Sequence, residues 1–326
     1  MFLRRLIPAV SILLSSFALA VLFGGSVTGG DLLAFKPYAT PLDYNLSIKT
    51  HAVIDSGPGG IQEGIFRDHE DLLTLSQQVK AAEDGLLDII TTVKEINLTP
   101  YGPIYGAVYK RADIPGNSQQ IKINLLGEVQ EAKVIPHFGS SAFWQNGEDG
   151  PPLDFYNILL MLNPRFRLGV LNIGDTWEVE DTIEPELADA LPVAGRGPLQ
   201  YKLMMTIRQK TKYTLLGYER QRGYRCIRIG FEAEFKTDGV MRDSHTGSYT
   251  EGNGKSDGEF FFAPKEGLLV SVSMMHHAIE RLSKDGQMIR FITPEEMVFL
   301  NSEDQKSVPL PWRADRIVTL ELIEKR

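Results

Sequence analysis

Residues 225–235 read RCIRIGFEAEF, and this stretch decides the fold class. Its apolar residues recur at every second position, and Arg228, Glu232 and Glu234 lie between them. The apolar set is Ile227, Ile229, Phe231, Ala233 and Phe235. Successive side chains of a strand point to opposite faces, so this alternation predicts a β-strand with one buried and one hydrated face.

Three pairs of similar segments predict hairpins. KYTLLGYERQRGYRCIRI contains two alternating runs around ERQRG, with Gly223 at the turn. LLTLSQQV (72–79) and LLDIITTVKEI (86–96) flank KAAEDG, and two further runs flank APKEG (263–267). VTLELIE adds a strand at the C-terminal end. The prediction is a mainly β protein, an antiparallel meander that forms a curved sheet or half-barrel.

The order of hairpins and polar gaps is similar in both halves of the chain. We interpret this order as a duplicated unit, with halves 42–150 and 170–326 joined by a helix at 151–164. That helix, PPLDFYNILLMLNP, has prolines at both boundaries and almost no polar face, so it should be buried against the sheet. A second short helix is predicted at 184–192, EPELADALP, covering an edge.

The first 30 residues have the pattern of an export signal. A basic start, MFLRR, precedes the apolar run LIPAVSILLSSFALAVLF and the small-x-small pattern Ala18-Leu19-Ala20. The alternative is that residues 6–23 remain as a membrane anchor, since the run is long enough to span a bilayer. Both interpretations place the β-rich domain, 31–326, outside the inner membrane. The expected location is periplasmic or secreted, or anchored and facing outward.

Charge and cysteine content exclude several classes of protein. The chain has 34 basic and 42 acidic residues; removing Arg4 and Arg5 with the signal leaves 32 and 42, a net charge of −10. A nucleic-acid partner is therefore not expected. Cys226 is the single cysteine, so the chain forms no internal disulfide and depends on a hydrophobic core. Arg225 and Arg228 beside Cys226 would favour its thiolate, although a lone strand cysteine is more often inert.

The stretch LNIGDTWEVE, residues 171–180, admits three interpretations: a metal ligand set, a catalytic turn, or the start of a strand. Gly174 accepts a positive φ and Asp175 can bond to nearby backbone amides, so the turn is the preferred interpretation. Thr176 then begins the strand, and Trp177 holds it in the core with Val179 on the same face.

The sequence motifs that could indicate phosphate or cation binding are weak. GNGKS (252–256) resembles a phosphate loop, but Tyr249 stands where that motif requires glycine, so a solvated hairpin loop is predicted. A weak cation site formed by acidic and histidine side chains nearby is disfavoured, because the spacing of a calcium loop is missing. Its members would be Asp243, His245, Glu251 and Asp257.

The histidines do not form a metal site. His276 and His277 are adjacent on a predicted strand, so they should point to opposite faces, one packed and one solvated. His51, His69 and His137 lack the paired spacing of zinc ligands. The sequence therefore predicts no catalytic residue, no metal and no cofactor, and the chain is expected not to be an enzyme.

Three segments carry a resemblance to a family. The GDTW strand opening at 174–177, the hairpin at 213–229 and the hairpin GEFFFAPKEGLLVSV at 258–272 resemble an uncharacterised family of exported, β-rich bacterial proteins. The resemblance covers about the C-terminal half of the chain. The architecture is similar to the half-barrels of periplasmic lipoprotein carriers, in which a curved sheet and helices enclose an apolar cavity. Fold alone does not define function.

Two functions follow from these expectations. The first is binding of a lipid or another apolar or amphipathic ligand in the half-barrel. The residues expected to line that site are Leu160, Leu203, Met205, Ile207, Ile227, Ile229, Phe231, Val270, Val272 and Met274. The alternative is a non-catalytic structural or protein-interaction module of the cell envelope, with an envelope protein as partner. Both need apolar inward faces, so the sequence does not separate them.

Overall fold

A computed structural model describes most of the chain. The described residues are 33–54, 65–101, 109–110, 115–135, 158–187, 202–242, 247–284, 288–293, 296–300 and 312–323. In these ranges the chain is almost entirely antiparallel β-structure, which confirms the predicted fold class. The helical residues in them are one turn at 158–161 and a 3-10 turn at Glu83–Gly85. Neither is long enough to cross a membrane.

The strands are long, and their bounds confirm the three predicted hairpins. They are β1 Leu42–Ile54, β2 Ile65–Ala81, β3 Leu87–Tyr101, β4 Tyr109–Lys110, β5 Ser118–Ile123, β6 Val129–Ile135, β7 Thr176–Ile183, β8 Glu186–Leu187, β9 Lys202–Gln221, β10 Tyr224–Arg242, β11 Gly247–Ala263, β12 Leu268–Lys284, β13 Met288–Thr293, β14 Glu296–Leu300 and β15 Trp312–Leu322. Arg222 and Gly223, both with positive φ, form the two-residue turn between β9 and β10.

One 13-stranded sheet contains both halves of the chain. Its order is β7-β9-β10-β11-β12-β15-β1-β2-β3-β5-β6-β8, with β4 beside β3, while β13 and β14 pair separately. The C-terminal strand β15 lies between β12 and β1, antiparallel to both. The proposed duplication stays a prediction, and the halves it assigns share one continuous sheet.

The short strand β8 shows that the sheet is nearly closed. β7 pairs with β9 at one edge of the sheet. β8 begins at Glu186, close after the end of β7 at Ile183, and pairs in parallel with β6 at the other edge. Because so short a connection joins the two edges, they must approach each other, and the sheet curls into a nearly closed barrel.

The two ends of this barrel are connected differently. At one end, here named the turn end, short connections join β2 to β3, β5 to β6, β9 to β10, and β11 to β12. The opposite end, named the loop end, has the longer connections, such as 188–201 between β8 and β9, and much of their length lies outside the described residues.

The inward face of the sheet packs around the segment 158–166. Ile158 to Leu162 are all buried, as predicted for the apolar helix; residues 151–157 lie outside the described part. Phe166 N–H donates to the carbonyl of Leu126 at 2.7 Å. Phe166 also packs on Phe262 and Phe35, with ring centroids 4.7 and 5.4 Å away. These aromatic rings fill the turn end of the barrel.

Two secondary-structure predictions are wrong. The predicted helix at 184–192 contains strand β8, because pairing with the edge of β6 outweighs the weak helical preference of a short segment between prolines. Residues 188–192 of that prediction lie outside the described part. The predicted loop at 252–256 lies inside β11, paired with β10 and β12 on both sides.

The glycines of β11 explain the second error. A Cβ on Gly254 would lie 2.0 Å from the carbonyl oxygen of His277 and 2.5 Å from the ring of Phe235. Gly254 therefore lets the neighbouring strand and the ring of Phe235 approach the backbone of β11 closely. A local sequence pattern does not distinguish such a glycine from one in a loop.

Candidate functional site

The outward face of the strands carries charged pairs. Arg228 contacts Glu259 at 2.5 Å, Lys255 contacts Glu234 at 2.8 Å, and Lys210 contacts Glu178 at 3.1 Å. Some exposed apolar residues lie among these pairs, such as Ile317, which is flanked across the sheet by Met275 and Lys49. A lipid-facing barrel would instead show a continuous outward apolar band and a polar interior. Where its side chains are described, the outward face is therefore mixed, with ion pairs and scattered apolar residues.

The inward face holds the predicted ligand-lining residues. Eight of them are buried and belong to one continuous hydrophobic cluster: Leu160, Ile207, Ile227, Ile229, Phe231, Val270, Val272 and Met274. The side chains of Leu203 and Met205 lie outside the described part. The structure therefore brings the eight together in one apolar interior, and their role as ligand lining stays a prediction.

Four buried polar side chains lie in one row across four neighbouring strands of this interior. Ser256 on β11 pairs in register with His276 on β12, His276 with Arg316 on β15, and Arg316 with Thr50 on β1. These four residues are between 2% and 6% exposed. We name Ser256, His276, Arg316 and Thr50 the inner polar row. It is the strongest candidate site in the described residues, because buried polar groups are uncommon in an apolar core.

Two members of the inner polar row are held in place by their neighbours. Ser256 Oγ and His276 Nδ1 share a hydrogen bond of 2.8 Å. The ring of Phe235 stacks on the imidazole of His276, with centroids 4.8 Å apart and an interplanar angle of 9°. Thr50 differs, because its Oγ1 is buried with no hydrogen-bond partner among the described residues.

The prediction for His276 and His277 is confirmed. His276 is 3% exposed on the inward face. The side chain of His277 is 53% exposed and its Nδ1 lies 2.7 Å from Asp315. His51 is exposed, the side chain of His69 is outside the described part, and so is His137.

Arg316 was missed as a candidate from the sequence, although a signal was present. Alternate positions of β15 hold Arg316, Val318, Leu320 and Leu322. The arginine therefore points to the same inward face as the three apolar residues. A charged residue at an apolar position of an alternating strand is the pattern that would have indicated it.

The GDTW residues form a turn and a packed strand start. Gly174 has φ of 92°, and Asp175 Oδ2 accepts the backbone N–H of Asn172 at 3.0 Å. Asp175 also contacts the guanidinium of Arg167 at 3.1 Å. Thr176 begins β7. Through these two contacts the carboxylate of Asp175 stabilises the turn that precedes β7.

Trp177 joins β7 to the inner segment. Its ring is 6% exposed and stacks on Tyr213 with centroids 5.3 Å apart. Its Nε1–H donates to the carbonyl of Arg165 at 2.8 Å. Arg165 in turn bonds to Asp181 at 3.2 Å, with both side chains largely buried. These contacts fix the segment 158–166 inside the barrel.

Cys226 is buried, which agrees with the inert interpretation and argues against a thiolate favoured by its arginine neighbours. Burial raises the pKa of the Cys226 thiol to about 11, so the protonated form is favoured. Desolvation of the thiolate dominates, because Arg225 is exposed and the guanidinium of Arg228 is paired with Glu259.

Metal and phosphate chemistry find no support in the described part of the chain. No group of three or more histidine, cysteine or acidic side chains there could hold a metal ion. Asp243 and His245 of the weak cation site lie outside it, and so does the side chain of Glu251, while Asp257 is exposed on β11. GNGKS lies within β11, so it does not have the strand-loop-helix context of a phosphate loop.

Comparison with known proteins does not assign the chain to a family. No family model and no curated protein matches it. Among solved structures, a five-substitution mutant of the Rh. blastica porin matches with a TM-score of 0.18 and 8% identity, over 87% of this chain and 100% of that one. The anion-selective porin from Comamonas acidovorans gives a TM-score of 0.20 and 8% identity, over 87% and 99%. A loop-deletion mutant of OmpT, an outer membrane protein of Vibrio cholerae, gives 0.18 and 8%, over 87% and 99%. Scores this low assign neither fold nor function.

Proposed function

We propose that this chain is a non-catalytic protein of the bacterial envelope that binds an amphipathic, lipid-like ligand inside the barrel. The observation that carries the proposal is the inner polar row, in which four buried polar side chains lie in register across a mostly apolar interior. Binding sites for small molecules are mostly apolar and contain a few placed polar groups that orient the ligand. The export signal predicted in residues 1–30 supports the envelope location.

The row divides the interior into two parts. On the turn side, Phe231 and Met274 adjoin the row and continue into the packed cluster around Leu160. On the loop side, β12 continues from His276 to Lys284, which at the rise of a strand gives roughly 25 Å of further wall. A polar head at the row and an apolar chain on the loop side would match this division.

Binding can be tested on protein purified from its native envelope. Native mass spectrometry should show a stoichiometric bound amphiphile, and solvent extraction should release it for identification. Titration of the delipidated protein with a fluorescent fatty acid should then saturate at one site. Protein that carries no amphiphile and binds no such probe would overturn the proposal.

A second candidate function is supported by exposed apolar residues in the loop before β7 and on the adjoining part of β9, which we name the patch. Leu168 is 80% exposed, Ile173 is 61% exposed and Leu216 is 41% exposed. Gly174 N–H donates to the carbonyl of Leu215 at 2.8 Å, which holds the loop beside Leu216. Grouped exposed apolar residues often mark interaction sites. This patch favours the alternative of a protein-interaction module of the envelope.

That alternative has its own test. Cross-linking in intact cells should capture a partner of the wild-type protein through the patch. Replacing Leu168 and Ile173 by serine should remove that product and leave the melting temperature unchanged, since both side chains are exposed. Replacing exposed Glu180 and Lys212 by serine is the matched control. An unchanged cross-linking pattern in the patch variant would contradict this function.

A further inference from the structure

We infer that the ligand carries an anionic head group, and that Arg316 of the inner polar row binds it. The inference rests on the proposed function, and it specifies the chemistry of the head. Carboxylate and phosphate monoester share that chemistry, since both present oxygens that accept hydrogen bonds from a guanidinium.

The position of Arg316 is the first support. Its side chain is on the inward face of β15 and only 4% of the residue is exposed, whereas arginines elsewhere on the sheet, such as Arg228, extend into water. A guanidinium remains charged in a protein and has five N–H donors in a planar fork. With five donors, the guanidinium can bond to an acceptor of the protein and to a ligand oxygen at the same time.

Thr50 is the second, independent support. Thr50 pairs in register with Arg316, and its neighbour His51 is exposed, so the hydroxyl of Thr50 is on the inward side. Its Oγ1 is buried with no hydrogen-bond partner in the described part of the chain. Leaving a buried hydroxyl unsatisfied is unfavourable. A ligand oxygen held by Arg316 would also accept from this hydroxyl.

The other members of the row limit what the head group can be. Ser256 and His276 bond to each other, and Phe235 covers the imidazole, so this side of the row is occupied. Asp71 lies on β2 opposite Ile48, one inward position nearer the turn end than Thr50. Its carboxylate disfavours a second anion on the turn side. The head group is therefore expected to approach Arg316 and Thr50 from the loop side.

Head-group preference can be measured with three single-chain probes of equal tail length: hexadecanoate, hexadecyl phosphate and hexadecanol. The delipidated wild-type protein should bind one or both anions about tenfold or more tightly than the alcohol, because hydrogen bonds to charged groups are the stronger ones. Whichever anion binds more tightly identifies the head as carboxylate or phosphate.

Variants then assign the preference to the row. Arg316→Gln should weaken anion binding far more than hexadecanol binding and so abolish the difference between anion and alcohol. Thr50→Val should weaken anion binding by a smaller factor. Arg228→Gln, the same change on the outward face, is the matched control and should leave all three affinities unchanged. Arg316→Lys retains the charge and should retain part of the preference, which covers the case that Arg316→Gln does not fold.

The outcomes separate this inference from the proposed function. A wild-type protein that binds hexadecanol as tightly as both anions would overturn the anionic head group and leave ligand binding intact. An anion preference that survives in Arg316→Gln would overturn the role of Arg316. A wild-type protein that binds none of the three probes would contradict the proposed function itself.

Discussion

Trp177 should contribute far more to stability than the adjacent Asp175, although both belong to the same four-residue motif. Trp177→Ala removes a ring that is 6% exposed and stacked on Tyr213. Removing a core aromatic side chain typically costs about 3–5 kcal/mol. Since native proteins are stable by only about 5–15 kcal/mol, this single change should take away a large share of the free energy of unfolding.

A second substitution separates the ring from its hydrogen bond. Trp177→Phe keeps an aromatic ring for Tyr213 but removes the Nε1–H that donates to the carbonyl of Arg165 at 2.8 Å. Leaving that carbonyl without its donor should cost about 1–3 kcal/mol. Asp175→Asn keeps an oxygen that accepts from Asn172 and weakens only a partly exposed ion pair, so its cost should be about 1 kcal/mol or less.

Urea unfolding of the chain without residues 1–30 measures these differences. Far-ultraviolet circular dichroism is the suitable signal, because it reports backbone structure and does not depend on the substituted tryptophan. With a urea slope of about 3 kcal/mol per M, Trp177→Ala should lower the midpoint by about 1–2 M. The expected order of destabilisation is Trp177→Ala, then Trp177→Phe, then Asp175→Asn. A larger loss for Asp175→Asn than for Trp177→Phe would refute the assignment of Asp175 as a turn residue.

Three further predictions concern other parts of the chain. Leu160→Trp should lower the free energy of unfolding by about 1–3 kcal/mol, because Leu160 is 2% exposed in a packed cluster. A lower affinity for fatty acid at an unchanged melting temperature would instead indicate a cavity at this position. Cys226 should resist thiol reagents until the protein unfolds. Burial raises the thiol pKa from 9.0 to about 11, so the stability that the protonated thiol contributes is present below pH 9 and is lost as the pH rises towards 11. The stabilities of wild type and Cys226→Ala should therefore diverge between pH 9 and 11. Parallel stability curves would contradict this prediction. N-terminal sequencing of the exported protein should find a start between residues 20 and 31, and recovery of Met1 from a cytoplasmic fraction would argue against a signal peptide.

Local patterns predicted the strands well because their cause is local. The alternation in β10 places Ile227, Ile229 and Phe231 inward, and each is buried as predicted. The turn at Gly223 is also local, since two residues with positive φ match the twist of the flanking strands. Burial of 158–162 followed from the lack of a polar face in that segment.

The errors have a different physical origin. Residues 252–256 look like a loop because glycine and polar residues dominate them, yet β10 and β12 pair with them on both sides. Glu186–Leu187 form β8 because the edge of β6 provides hydrogen bonds. In both cases a partner distant in sequence satisfies the backbone, and strand formation depends on such context more than on intrinsic preference.

The candidate site was only partly predictable. His276 was expected to differ from His277 in burial, and it does. The association of His276 with Arg316 and Thr50 was not foreseen, because these residues meet through the pairing of β12, β15 and β1. These three residues are far apart in the sequence, so no local sequence pattern indicates that they lie side by side.

The sequence by itself determined which segments are strands, which face of each is apolar, and where the tight turns fall, because side-chain alternation and turn chemistry act between residues close in the chain. Only the tertiary structure decided that β15 lies between β12 and β1, that β8 brings the two edges of the sheet together, and that Thr50 and Arg316 share one row. Register between distant strands is set by burial of the whole inward face, and a shift of one residue would turn every side chain of a strand to the other side. That choice is made by the assembled sheet, so the position of the inner polar row is a property of the fold.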